Sequence, residues 1–191
     1  MNVAAVMMLG WTLGTAAQVN AAGRIEDKMS VCVENNIGSS VRSVAQKTAS
    51  KMFIEAGVTI NWGPGLAGCP ANGILISLSD KAPADLPPRA LAYALPYEGS
   101  HIVILYNRLQ QIAKPPQISF LLAHVLVHEV THILQGIPRH SDRGVMKATW
   151  DGSDYKAMSL KPLPFTPGDI DLDSPRHGRT SSTGSFAPIG D

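Results

Sequence analysis

Residues 117–135 limit the possible folds of this chain more than any other stretch. The run QISFLLAHVLVHEVTHILQ contains neither proline nor glycine, with Pro115-Pro116 before it and Gly136 after it. Proline cannot continue a helix from upstream, and glycine best adopts the left-handed turn that ends one. The pattern predicts a helix that starts near Gln117 to Ser119, ends near Gln135 and stops at Gly136. Leu122, Leu126, Val130 and Ile133 share one side. The flanks are mostly apolar too, so the helix should be buried nearly all round.

A buried helix has no cheap place for ionisable groups, because an unpartnered polar group costs about 1–3 kcal/mol there. This helix nevertheless carries His128 and His132 away from Leu122, Leu126, Val130 and Ile133, with Glu129 between them in sequence. Histidines four residues apart lie about one turn apart on one face, where both imidazoles can reach one ion. Glu129 projects beside them and can accept a proton from a water activated at that ion. Gly136 turns the chain back, Pro138 stiffens the return, and His140 can swing in as a third ligand. Three protein ligands leave one position open, which separates a catalytic zinc site from a closed structural one. Zn2+ suits these ligands, and cobalt or nickel would also bind.

Each histidine alone reads as an ordinary hydrogen-bonded side chain. The set, placed on one helix and its return loop, does not. His124 lies one turn before His128, but three histidines along a straight helix spread over about 12 Å. That is too far for one ion with bonds of about 2 Å. Asp142, Asp151 and Asp154 are downstream carboxylates that offer an alternative third or outer ligand, while His101 marks a strand start and His177 sits in the tail.

The rest of the chain predicts an α+β domain. Residues 29–33 form a strand. A helix follows, built on Val41, Val44, Ala45, Thr48, Ala49, Met52 and Phe53 and stopped by Gly57. Residues 58–62 form the next strand. This is a β-α-β unit, so the two strands should be parallel neighbours. Residues 63–73 are loop, and 74–78 are an apolar-rich strand expected at the sheet centre. The proline-bearing stretch 80–89 is irregular. Residues 91–95 remain open, and 101–106 read as strand. Beyond the histidines, residues 144–146 make a tight apolar turn. Residues 152–160 suggest a helix packed through Tyr155 and Met158. Thr166-Pro167 has the signature of a helix start.

The chain has 191 residues with 45% hydrophobic and 16% charged content and a formal net charge of +1, so a folded core is expected and nucleic acid is not an expected partner. Residues 1–21 resemble a secretory signal, with an uncharged apolar run and Val19-Asn20-Ala21 as a cleavage site. No Lys or Arg precedes that run, and it is short for a membrane span. The expected location is secreted or periplasmic, with no stable membrane span after signal removal. Cys32 and Cys69 suit export as a disulfide. Two buried thiols, or a cysteine covering the metal, stay open. From residue 173 the composition turns to Ser, Gly, Pro and Arg, which predicts a disordered tail over 173–191.

His128-Glu129-Val130-Thr131-His132-Ile133-Leu134-Gln135-Gly136, then His140-Ser141 and Gly144-Val145-Met146, resembles the metzincin clan of zinc metallopeptidases. It is most similar to bacterial exported metalloproteases with a HExxHxxxGxxxHSxxGIM-like signature. Relative to the clan pattern, Gly136 comes one residue late, His140 two residues late, and Met146 follows unusually closely. The resemblance implies a zincin-like domain over 29–172. Its parts would be a mixed twisted sheet, a backing helix, a central active-site helix and a small C-terminal subdomain. It implies a zinc endopeptidase acting on a peptide or protein substrate. His128, His132 and His140 would be ligands, Glu129 the general base, and Met146 a packing residue beneath the metal. A tyrosine that assists some members is replaced here by Lys147-Ala148, with Tyr155 as a distant substitute. Residues 99–106 would be the edge strand that receives substrate, or else an ordinary core strand. A zincin with a carboxylate third ligand, or a metal-bound scaffold that binds peptides without turnover, are the alternatives.

Overall fold

The computed structural model describes residues 28–94 and 100–170. The expected signal over 1–21, the expected tail over 173–191 and His177 lie outside these residues. The described chain is α+β, with a five-stranded mixed sheet in the order β2-β1-β3-β5-β4. Strand β1 (Lys28–Val33), helix α1 (Ser39–Glu55) and strand β2 (Thr59–Gly63) form the expected β-α-β unit, with β1 and β2 parallel neighbours. Gly57 adopts φ +78° just after α1, where a side chain would be strained.

Strand β3 (Ile74–Ser79) is central, parallel to β1 on one side and to β5 (His101–Leu105) on the other. Register aligns Val31 with Ile74, Val33 with Ile76, and Ile76 with Ile102. Partners in register point to the same face, so these residues make one apolar surface. They share a single core with Ala45, Ala49, Met52 and Phe53 of α1.

One open choice is decided here and one expectation needs correction. Strand β5 is not the edge, since β3 and β4 (Ala92–Ala94) flank it; β4, antiparallel to β5, takes that position. Four of the five β5 residues are buried, as an interior strand requires. The segment read as strand through Tyr106 also turns into helix α2 (Tyr106–Ile112) at that residue. Only Leu109 of α2 is buried, so its helical period is faint in the sequence.

Cys32 and Cys69 form a disulfide, which settles the open choice between pairing and free thiols. It ties β1 to the loop before β3, where Leu66–Gly68 makes one 3-10 turn. The sulfurs need room. A Cβ on Gly63 would sit 2.4 Å from Cys32 Sγ, and one on Gly73 would sit 2.7 Å from Cys69 Sγ.

Helix α3 (Gln117–Gln135) crosses this core. It is long and apolar enough to cross a membrane by composition alone, but most of it is buried inside the domain. Residues 121–132 are all buried. Helices α1 and α4 (Gly152–Met158) pack on it. Asp151 caps α4 by accepting from the Ser153 and Asp154 backbone N–H groups. Pro167–Asp169 forms a final 3-10 turn, where Thr166-Pro167 predicted a helix start.

Candidate metal centre

His128 and His132 are fully buried on one face of α3, with ring centroids 4.6 Å apart. Gly136 ends the helix at φ +68°, and its N–H bonds the His132 carbonyl at 2.9 Å. A Cβ there would meet nothing, so the glycine is needed for its backbone angle rather than for space. The reversed chain returns the Ile137 carbonyl to His132 Nδ1 at 3.3 Å and brings in His140. The His140 ring lies 5.2 Å from that of His128 and 4.9 Å from that of His132. One ligand atom from each of the three falls within 4.8 Å of the others, so His128, His132 and His140 lie close enough to bind one metal ion.

The tautomers support that use. His128 Nδ1 donates to the Val145 carbonyl at 2.8 Å, and His132 Nδ1 donates to Ile137. A carbonyl only accepts, so each Nδ1 carries the hydrogen and each neutral ring has its lone pair at Nε2. Those two Nε2 atoms are 2.9 Å apart. Two lone pairs so close repel unless a cation lies between them. A proton is a poor candidate, because burial drives the His128 pKa well below 6.5, helped by the nearby charges of His132 and His140. Burial, then the His140 charge, pushes His132 down to about 4. Neutral imidazoles are the form that ligates a metal.

Glu129 is 3% exposed, and its Oε1 finds no hydrogen-bond partner in the protein. Burial raises its pKa to about 8. A carboxylate held this way has a strong thermodynamic reason to take up a proton, or to sit by a cation.

The methionine turn meets the site through its backbone. Val145 O receives the His128 hydrogen, and Met146 O accepts from Ser141 N at 2.8 Å. The Met146 side chain is fully buried in the core. Gly144 has φ +80°, and a Cβ there would lie 2.3 Å from the Pro164 carbonyl oxygen. Trp150 packs edge-on to both His124 and His128, at 6.3 and 5.5 Å.

The competing ligands are otherwise engaged. His124 Nδ1 donates to Phe120 O at 2.7 Å, and its Nε2 accepts from Leu163 N at 2.9 Å. It is a structural link between α3 and the chain beyond α4. Asp151 caps α4, Asp154 pairs with Lys147 at 2.6 Å, and Asp142 is exposed. None of these carboxylates belongs to the three-histidine group. His101 starts β5 as expected, bonding Ser77 Oγ at 2.8 Å. Tyr155 does not replace the missing tyrosine. It lines a cavity with Arg89, Leu91 and Arg108, separate from the one of about 440 Å³ lined by His140, Ser141, Asp142, Arg143 and Thr166.

The sequence reading missed the Val145 and Ile137 carbonyls, Trp150 and Asp169. Backbone carbonyls leave no trace in residue identity. Trp150 gave one usable signal, being a large aromatic just past the methionine turn.

No family model, curated protein or solved structure matches this chain. The centre is therefore defined by its own geometry: three histidines close enough to hold one metal ion, two of them on a buried helix that also carries a glutamate whose Oε1 has no hydrogen-bond partner.

Proposed function

We propose that the protein is a secreted or periplasmic zinc-dependent endopeptidase of zincin-like, metzincin-related fold. The observation that carries this reading is the conjunction at α3. Two Nε2 atoms face each other at 2.9 Å, a third histidine closes on them, and the next residue after His128 is a buried glutamate whose Oε1 has no hydrogen-bond partner. Metal binding alone would need the histidines and not Glu129, whose burial costs stability.

Three nitrogen ligands match zinc and leave a position for water. Zinc bound there would supply Lewis acidity, polarising a carbonyl and bringing water to a pKa of about 7. The protein's own groups do the rest. Val145 and Ile137 fix both histidine rings by their Nδ1 hydrogens, which is the usual outer support for such ligands. Glu129 accepts the proton of the attacking water and passes it to the amine that leaves. Strand β4 is one of the two sheet edges and also contacts α3, so an extended peptide paired along Ala92–Ala94 would run past the helix.

The test is peptide cleavage by the zinc-loaded full chain and by Glu129→Gln. The variant should bind zinc with parent stoichiometry and lose at least about 100-fold in kcat/KM. Equal cleavage by the two sinks the assignment. Peptide binding with no cleavage by the parent favours a non-catalytic scaffold.

A further inference from the structure

Among the described residues, Asp169 is the one buried carboxylate besides Glu129. It is 2% exposed and ends the 3-10 turn Pro167–Asp169. Its carboxylate accepts from the Thr166 N–H at 2.6 Å and from the Ser141 hydroxyl. Ser141 directly follows His140. Two further bonds run between the same segments. Gln135 Nε2 donates to the Asp169 carbonyl at 2.9 Å, and the Arg139 guanidinium donates to the Gly168 carbonyl. The loop that carries His140 is thus tied to two consecutive residues, Gly168 and Asp169, from both of its ends.

That loop needs a restraint. Residues 137–140 have no regular structure, and Ile137 is 46% exposed. The Gly136 reversal sets the start of the loop, and the Ser141 N–H bond to the Met146 carbonyl at 2.8 Å holds the backbone just after His140. The helix sets the spacing of His128 and His132, whereas His140 is carried by a loop whose place is set by contacts with other segments.

We propose that the Pro167–Asp169 turn is a positioning strap for the third metal ligand. Asp169 acts through Ser141, while the Gly168 and Asp169 carbonyls act through Arg139 and Gln135. Together they hold His140 toward His128 and His132. This rests on the reading of the three histidines as a metal centre. Asp169 touches neither metal nor substrate, so its role is positioning. Losing such outer support typically weakens metal affinity by about 10–100-fold.

The experiment uses the full-length, disulfide-intact chain as parent, Ser141→Ala, Asp169→Ala, Asp169→Asn and, for reference, His140→Ala. Three quantities are read: zinc Kd by chelator competition, the visible absorption of the Co2+ form, and the melting temperature of the metal-free protein. Asp169→Ala should weaken zinc by about 10–100-fold and move the cobalt spectrum toward that of His140→Ala. Asp169→Asn keeps the shape and can still bond Thr166 and Ser141, so it should stay within about threefold of the parent. Should Asp169→Ala fail to fold, Ser141→Ala decides, with an expected loss of about threefold or more. Parent-like affinity and cobalt spectrum in Ser141→Ala and in any folded Asp169→Ala overturn the strap alone. So does an Asp169→Asn as weak as Asp169→Ala, which would assign the effect to charge. A parent that binds neither ion overturns the metal reading itself, and the strap with it.

Discussion

Glu129→Gln should stabilise the metal-free protein, and the gain should depend on pH. Burial raises the Glu129 pKa from the usual 4.5 to about 8. Between those values the folded chain holds a proton that the unfolded chain has released. The stability this group contributes is therefore full below pH 4.5 and lost as pH rises through 8. A shift of that size corresponds to about 5 kcal/mol at alkaline pH. Relaxation and water entry reduce the realised cost, so about 2–5 kcal/mol is expected. Glutamine has the same shape and no charge, so it removes the penalty while preserving the packing. The assay is chemical denaturation of the chelator-treated, disulfide-intact protein at pH 5, 7 and 9. The parent and the variant should be nearly equal at pH 5, with Glu129→Gln ahead by a margin that grows to pH 9. The histidines titrate alike in both chains and cancel. Saturating zinc should shrink the gap at pH 9, because a cation beside the carboxylate restores its preference for the charged form. A gap of the same size at pH 5 and pH 9, or a parent that is the more stable at pH 9, refutes the reasoning.

Metal-free protein should also lose stability on the acid side. His124 is buried and its pKa is pushed down to about 4, chiefly by desolvation. A lowered pKa contributes stability that is present above 6.5 and lost as pH falls through 4, worth on the order of 3 kcal/mol. Stability measured from pH 7 to 4 should fall less steeply in His124→Gln, which should still bind metal with parent stoichiometry; an unchanged slope, or lost metal, contradicts the structural role given to His124. The Cys32–Cys69 bridge closes a loop of sequence separation 37. Loop-closure entropy for that length is worth about 4 kcal/mol, so the Cys32→Ala/Cys69→Ala pair should lower stability by about 2–4 kcal/mol without altering metal stoichiometry. A loss below about 1 kcal/mol would mean that strain or residual unfolded structure cancels the gain.

The helix, its end and its two histidines were legible because they depend on local rules. Proline before residue 117, glycine at 136 and a four-residue spacing leave little freedom in how 117–135 can fold. The β-α-β start was legible for a similar reason, since short connections impose neighbouring parallel strands. Strand β5 shows where that legibility stops. Its residues Ile102 to Leu105 are apolar on both faces, and an interior strand reads the same as a covered edge. Only pairing to β4 decided the matter, and β4 is three residues long. Helix α2 was missed because a single buried residue, Leu109, sets no period.

The sequence by itself determined that two imidazoles and one carboxylate would share a buried helix, since a 3.6-residue turn leaves no other arrangement. It also determined that a third histidine would follow a forced reversal. Tertiary structure alone decided which third group closes on the other two. Asp142, Asp151, Asp154 and His140 all lie within reach along the chain, and local rules do not rank them. Contacts between distant residues do: Asp151 and Asp154 are engaged at the start of α4, Asp142 is left in solvent, and residues 168–169 bond the loop on either side of His140. Those bonds join residues 28 to 34 positions apart, beyond anything a local pattern encodes.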